Sequence, residues 1–168
     1  MGYMASGKSL VGRELSKKLK YNFMDLDDYI EDSEARSISK LFEKKGEIYF
    51  RRKEAESLKT VLNNYGKLVL SLGGGTPCYG NNLDSISRNP NTTSIYLKSS
   101  IPTIVSRVKN EKQKRPLIAH LKTNDELVEF IGKHLFERSQ FYSQADHTIV
   151  TDDLTVDQIV EQIVLKLY

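Results

Sequence analysis

The segment that most constrains the fold is glycine-rich and occupies residues 2–9, Gly2-Tyr3-Met4-Ala5-Ser6-Gly7-Lys8-Ser9. Two glycines separated by four residues and followed by Lys and Ser form the P-loop pattern. The glycines allow successive backbone N–H groups to point at phosphate oxygens, and a following helix adds the positive end of its dipole. Apolar residues at helical spacing from Leu10 to Leu19 supply that helix. The segment, named the phosphate loop below, therefore predicts a nucleotide-binding cradle.

Within the phosphate loop, Lys8 is expected to reach the β- and γ-phosphates and the Ser9 hydroxyl to ligate Mg²⁺. The remaining residues predicted to bind the nucleotide here are Gly2, Ala5, Ser6, Gly7 and Leu10. The alternative interpretation is a glycine-rich start of the chain that merely precedes a helix.

The position of the phosphate loop conflicts with its usual context. A P-loop normally connects a buried strand to its helix, whereas only Met1 precedes Gly2. Strands commonly run for about 5–6 residues. We therefore expect either that the sequence starts late by about that length or that the sheet forms without this first strand.

Short apolar runs alternate with helical patterns along the rest of the chain, which predicts an α/β fold with a mostly parallel sheet covered on both faces. The helical pattern is clearest from Val156 to Leu167, where Thr155 and Gln158 have capping-box spacing. With 168 residues the chain fits a single domain, residues 1–168. The predicted strands are Asn22–Asp25, Leu68–Leu72, Ser94–Leu97 and Thr148–Val150.

Composition excludes several classes of protein. The formal net charge of +3 is too small for a protein that coats nucleic acid. No apolar run approaches the roughly 18 residues of a membrane span, and the first residues lack the pattern of a secretory signal. The single Cys78 permits no internal disulfide, which agrees with a reducing compartment. We expect a cytoplasmic protein that binds neither nucleic acid nor membrane.

Two aspartates follow the first predicted strand. Asp25 and Asp27 lie on one side of an extended strand end. Near a magnesium nucleotide, one carboxylate can bind the metal through water while the other accepts a hydrogen bond from a substrate hydroxyl. The alternative is that they cap a helix beginning near Asp28.

Three consecutive glycines, Gly73, Gly74 and Gly75, follow the strand Leu68–Leu72 at the carboxyl edge where open α/β sheets bind ligands. They permit close approach of the backbone to a ligand. At the end of this strand, Ser71 is assigned a water-mediated role at the metal.

Arg51 and Arg138 both lie in segments of helical pattern. Their planar guanidinium groups suit a carboxylate, although exposed arginines are ordinarily solubilising. The polar, basic stretch 110–116 is predicted to be a surface loop.

The order of these motifs closely resembles the shikimate kinase family over nearly all of the chain. The motifs are the P-loop, the Asp-x-Asp pair, Phe50-Arg51-Arg52, the triple glycine, Arg115-Pro116-Leu117 and Arg138. The resemblance implies a three-layer P-loop fold of the nucleoside-monophosphate-kinase type with sheet order 2-3-1-4-5, from which the first strand is absent here. It further implies transfer of the ATP γ-phosphoryl group to the 3-hydroxyl of shikimate, on the way to chorismate and aromatic amino acids.

The resemblance also assigns residue roles. Lys8, Arg115 and Asp27 become the catalytic residues, Ser9 and Asp25 the magnesium site, and Arg107 a nucleotide contact beside the adenine together with Arg115. Residues 109–123 become a closing lid and residues 29–60 the substrate-binding segment of a monomer. Ala5 departs from the glycine that the family often has. The shikimate-binding residues are Asp27, Arg51, Gly73, Gly74, Gly75 and Arg138.

Two other interpretations remain open. A gluconate-kinase-like enzyme would share the P-loop architecture but act on a flexible sugar acid, whereas the triple glycine with two arginines favours a compact carboxylate. The chain is alternatively a catalytically impaired nucleotide-binding module, which the missing first strand supports.

Overall fold

The computed structural model describes residues 1–109, 116–121 and 123–168 of the chain. The strands are β1 (Asn22–Asp25), β2 (Leu68–Ser71), β3 (Ile95–Lys98) and β4 (His147–Val150). A 3₁₀ turn covers Thr76–Cys78, and α3 is broken at Gly46, where φ is 78°. The helices are α1 (Lys8–Leu19), α2 (Leu26–Glu34), α3 (Ile38–Asn64), α4 (Asn82–Ser87), α5 (Ile101–Lys109), α6 (Pro116–Ala119), α7 (Asn124–Tyr142) and α8 (Val156–Leu167).

The four strands of the described residues form two separate parallel pairs. β1 pairs with β2 in a register that opposes Asn22 to Leu68, and β3 pairs with β4 in a register that opposes Ile95 to His147. Each strand begins and ends within one residue of its predicted position. The α/β class and the parallel arrangement are therefore confirmed.

A cavity of about 700 Å³ separates the two pairs of strands and is lined by residues of β2, of β3 and of α1. Met1 lies at its end, where its amino group donates a hydrogen bond to the carbonyl of Ile95 (2.6 Å) and its carbonyl accepts one from the amide of Leu97 (3.0 Å). This is the hydrogen-bond pattern of a parallel strand opposite Tyr96. Met1 therefore occupies, beside β3, a position in the strand that was predicted to be absent.

Helices cover the strands because their apolar faces need a partner. Val11 and Leu15 of α1 pack with Ile159 and Ile163 of α8 against the strands. The capping box predicted for Thr155 is confirmed: its hydroxyl accepts from the Gln158 amide and its own amide donates to the Gln158 side chain. These helices place the phosphate loop and the ends of β1 and β2 at one edge of the molecule.

Among the residues that the structure describes, no helix is long and apolar enough to cross a membrane. Of the surface loop predicted at 110–116 and the lid predicted at 109–123, residues 110–115 and 122 lie outside the described residues.

Candidate active site

The phosphate loop takes a shape that requires its two glycines. Gly2 has φ 150° and Gly7 has φ 89°, in the region that side chains disfavour. A Cβ atom on Gly2 would lie 2.7 Å from the carbonyl oxygen of Leu97. Gly7 caps α1, and its carbonyl accepts the first helical hydrogen bond from Val11 (2.9 Å). The loop therefore wraps in front of a helix N-terminus, the arrangement that binds phosphate.

Two cations border this loop. The Lys8 ammonium donates to the carbonyl of Tyr3 (2.8 Å), and the Arg107 guanidinium donates to the carbonyl of Ala5 (3.1 Å). The Ser6 hydroxyl oxygen is buried and has no hydrogen-bond partner among the described residues. A loop bordered by positive charge, with a hydroxyl that has no partner, fits the phosphate chain of a nucleotide.

Ala5 adopts φ 58° in the phosphate loop. This left-handed conformation costs an L-residue roughly 1–2 kcal/mol, and glycine adopts it freely. A glycine at this position would adopt the conformation without that cost.

Ser9 and Asp25 meet at the edge of the loop. The Ser9 hydroxyl donates to Oδ2 of Asp25 (2.6 Å), while Oδ1 accepts from the amide of Asp27 (3.1 Å) and caps α2. The capping interpretation is therefore confirmed for Asp25 but not for Asp27, because α2 begins at Leu26 and already contains Asp27. The magnesium role of Asp25 stays a prediction. A hydroxyl and a carboxylate are hard oxygen ligands that suit Mg²⁺, which keeps several waters and phosphate oxygens. No cluster of three or more His, Cys, Asp or Glu suited to a metal occurs in the described ranges.

Asp27 is a half-buried carboxyl with an unusual pKa. Burial, followed by the negative charges of Asp25 and Glu54, raises the pKa of Asp27 to about 6, and Lys8 opposes this shift in part. A carboxylate with a pKa near the working pH can accept a proton from a substrate hydroxyl. Asp27 thus combines an acceptor oxygen with a position beside the phosphate loop.

The three consecutive glycines, residues 73–75, form a loop that lies close to other parts of the site and is named the glycine loop below. A Cβ atom on Gly73 would lie 3.0 Å from a carboxylate oxygen of Asp27, and one on Gly75 would lie 3.0 Å from Nη1 of Arg51. A Cβ atom on Gly74 would lie 3.5 Å from both a carbonyl and an amide of the phosphate loop. An added Cβ atom would therefore crowd Asp27 at Gly73 and Arg51 at Gly75, whereas at Gly74 it would make ordinary van der Waals contact with the phosphate loop.

Arg51 of α3 is held by groups that sequence reasoning missed. Its Nη1 donates to Glu54 (2.9 Å), whose carboxylate is only 1 % exposed and also accepts from the Thr76 hydroxyl (2.7 Å). The guanidinium lies 3.7 Å from the centre of the Tyr79 ring. The Arg-x-x-Glu spacing on a helix was the available signal for Glu54. The ion pair and the ring together orient the Arg51 fork beside the glycine loop.

Arg138 of α7 and Arg51 of α3 both act electrostatically on Cys78. Burial raises the pKa of the Cys78 thiol, and the positive charges of Arg138 and Arg51 both oppose that shift. Cys78 lies three residues after the glycine loop, so both predicted arginines lie near the same segment of the chain. Two cations there can accommodate a carboxylate.

Other predicted residues have mixed outcomes. Arg115 lies outside the described residues, and the adenine contact of Arg107 remains a prediction. Leu10 is 56 % exposed on α1. The Ser71 hydroxyl donates to the backbone carbonyl of Lys8 (3.1 Å), so it supports the start of α1.

Known proteins resemble this chain over almost its whole length. The family profile described as shikimate kinase matches residues 4–168. The shikimate kinase of Flavobacterium psychrophilum is 48 % identical over 163 residues, which cover 97 % of this chain and 94 % of that protein.

Solved structures agree in fold. A crystal structure of shikimate kinase from Bacteroides thetaiotaomicron has a TM-score of 0.90 and 33 % identity, with 99 % of this chain and 95 % of that chain covered. Shikimate kinase from Acinetobacter baumannii in complex with shikimate has a TM-score of 0.83 and 26 % identity, with coverages of 99 % and 89 %. By sequence and by fold, this chain belongs to the shikimate kinase family.

Proposed function

We propose that this protein transfers the γ-phosphoryl group of ATP to the 3-hydroxyl of shikimate. The observation that carries the proposal is the glycine loop, which contacts the phosphate loop, Asp27 and Arg51 with three successive residues. A nucleotide bound at the phosphate loop and a hydroxylated carboxylate bound by Asp27 and Arg51 would lie side by side. In-line phosphoryl transfer requires the acceptor hydroxyl to lie next to the γ-phosphate.

At the nucleotide end, the protein's task is to align the phosphates and to neutralise charge. Backbone amides of the phosphate loop and the Lys8 ammonium would bind the β- and γ-phosphates. Ser9 and Asp25 would hold Mg²⁺, directly and through water, and the ion when bound neutralises charge that develops on the transferred group. Arg115 is proposed to face the same group.

At the acceptor end, Asp27 would accept the hydrogen bond of the attacking hydroxyl and, as the oxygen attacks phosphorus, its proton. Arg51 and Arg138 would bind the shikimate carboxylate through charge-assisted hydrogen bonds. The relative from Acinetobacter baumannii, which is solved in complex with shikimate, supports this acceptor. We propose further that the enzyme works as a monomer in the cytoplasm, where its single Cys78 stays reduced.

The test is a measurement of ADP formation from ATP and Mg²⁺ with shikimate, gluconate or no acceptor. Shikimate-dependent turnover at least 100-fold above the rate without acceptor is expected, with gluconate near that background. Turnover with gluconate alone would favour the sugar-acid kinase. ATP binding without turnover on either acid would favour the nucleotide-binding module.

A further inference from the structure

Helix α7 carries three polar side chains at intervals of four residues: His134, Arg138 and Tyr142. Residues four apart on a helix lie on one face. We propose that His134 and Tyr142 are positioning residues that hold Arg138 between the phosphate loop and the glycine loop. The proposal rests on the proposed function and concerns how Arg138 is oriented for the acceptor carboxylate.

The first anchor joins α7 to the phosphate loop. The hydroxyl of Tyr3 lies 2.9 Å from Nδ1 of His134, in hydrogen-bond contact, and the two rings meet edge to face with centroids 5.5 Å apart. Tyr3 is only 1 % exposed, and its carbonyl is the one that accepts from Lys8. Burial and the charge of Arg138 lower the pKa of His134, so the imidazole stays neutral at neutral pH. This hydrogen bond therefore joins the phosphate loop to α7 at a position one turn before Arg138.

The second anchor joins α7 to the glycine loop. The buried Tyr142 hydroxyl donates to the carbonyl of Gly74 at 2.5 Å. Burial raises the pKa of this hydroxyl, and the positive charge of Arg138 opposes that shift. Its ring packs on Tyr96 with centroids 5.2 Å apart. Gly74 is the glycine whose backbone lies against the phosphate loop. Tyr142 thus ties the acceptor side of the site to the helix one turn after Arg138.

A rigid helix anchored on both sides of Arg138 sets where its guanidinium lies. Each anchor is four residues away, about 6 Å along the helix axis. The long arginine side chain is flexible, so a helix free to shift would leave its guanidinium poorly placed. A misplacement of about 1 Å in such a group can lower rates about 100-fold. Loss of either anchor should therefore weaken the binding of the acceptor before that of the nucleotide.

The experiment compares Tyr142→Phe and His134→Leu with wild type for kcat, for the KM of shikimate, for the KM of ATP and for Tm. Matched controls are Tyr65→Phe and His147→Leu, since Tyr65 follows α3 on the surface and His147 begins β4 at the amino end of the strands. The KM of shikimate should rise about tenfold in both test variants, the value for one lost hydrogen bond. The KM of ATP should change less than threefold, and His134→Asn, whose amide lies near the position of Nδ1, should restore most of the loss.

Two outcomes would overturn the proposal while the proposed function stands. One is a lower Tm with an unchanged KM of shikimate, which would mean a purely structural role. The other is an equal rise in the KM of shikimate and the KM of ATP. If His134→Leu fails to fold, Tyr3→Phe removes the same hydrogen bond while keeping the ring, and its KM values decide. A wild-type protein without shikimate turnover would instead overturn the proposed function, and the present inference with it.

Discussion

At the scale of single residues, two side chains have surroundings that their sequence motifs alone do not reveal. Lys8 spans the phosphate loop to the Tyr3 carbonyl, and Asp27 lies half-buried among other carboxylates with its pKa raised to about 6. Lys8 is a cation held at the edge of the phosphate loop. Asp27 is an acid that stays partly protonated near neutrality. Each leads to a prediction.

Lys8→Met is expected to lower kcat by about 100- to 1,000-fold, because one preorganised group at developing charge contributes roughly 3–4 kcal/mol. Initial rates at saturating ATP and shikimate measure the effect. Lys17→Met, on the exposed end of α1 where Lys17 pairs with Glu14 at 2.7 Å, serves as the control. A folded Lys8→Met protein with wild-type turnover would show that this lysine has no catalytic role.

Asp27→Asn is expected to abolish most activity and yet to stabilise the protein at pH 7. The folded-state pKa of Asp27 lies above its ordinary value of 3.8, so the folded state binds this proton more tightly than the unfolded state does. Stability is therefore lost as pH rises from about 4 to about 6, by about 2–3 kcal/mol for a shift of this size. In the wild type the rate should rise as the carboxylate forms, with its midpoint near the folded-state pKa of about 6.

Urea unfolding of wild type and Asp27→Asn at pH 4 and pH 7 tests the stability part. The variant should gain stability only at the higher pH. Asp84→Asn is the control, since Asp84 lies at the surface of α4 and pairs with Arg88 at 3.8 Å. A variant that is less stable than wild type at pH 7 contradicts the assignment.

At the scale of elements, the site depends on α3 presenting two adjacent arginines differently. Arg51 faces inward onto the buried Glu54 and the Tyr79 ring. Arg52 is exposed, and it lies 3.9 Å from Glu56 and 5.4 Å from the centre of the Tyr49 ring. Consecutive residues on a helix point about 100° apart, so one helix holds a binding group and a solvent-facing group side by side. The chain thereby supplies its own internal control.

Arg51→Lys is expected to raise the KM of shikimate about tenfold or more, since it keeps a charge beside Glu54 but loses the planar fork. The KM of ATP should stay within threefold of wild type. Arg52→Lys should change neither value. Equal changes in both KM values for Arg51→Lys would mean that this arginine stabilises the fold or binds the nucleotide.

At the scale of the whole molecule, the cavity between β2 and β3 is the main unusual feature. It is lined by strand residues such as Val69 and Ile95 and by Val11 and Leu15 of α1. Met1 already makes strand hydrogen bonds with β3 at its end. A buried backbone group without a partner costs about 1–3 kcal/mol, and a whole domain is stable by only about 5–15 kcal/mol. Pairing in this cavity should therefore strongly affect the stability of the fold.

Joining an apolar, β-branched segment of about five or six residues to Met1 is expected to raise Tm and to tighten ATP binding together, since the segment would pair with β2 and β3 and support the phosphate loop. Thermal melts and ATP titrations of both chains measure this. A Gly/Ser segment of equal length is the control. If the Gly/Ser segment has the same effect, or the apolar one has none, the cavity is not a site for a strand.

The sequence by itself determined the local features of this protein. The phosphate loop, the four strands and the Thr155 capping box were all predicted, because each depends on neighbouring residues whose backbone conformations and periodicity belong to a short segment. Arg51 and Arg138 were also predicted from the sequence as candidate binding residues. Whether they face solvent or a binding site depends on the fold, because the residue type is the same in both cases.

Only the tertiary structure decided which groups meet. Tyr3 and His134 are 131 residues apart, Tyr142 and the Gly74 carbonyl 68, and Glu54 and Thr76 22. Hydrophobic packing of whole helices against strands brings these pairs together, and no spacing along the chain encodes which buried hydroxyl will face which carbonyl. The raised pKa of Asp27 arises in the same way, because desolvation by distant segments creates it and those segments meet only in the folded protein.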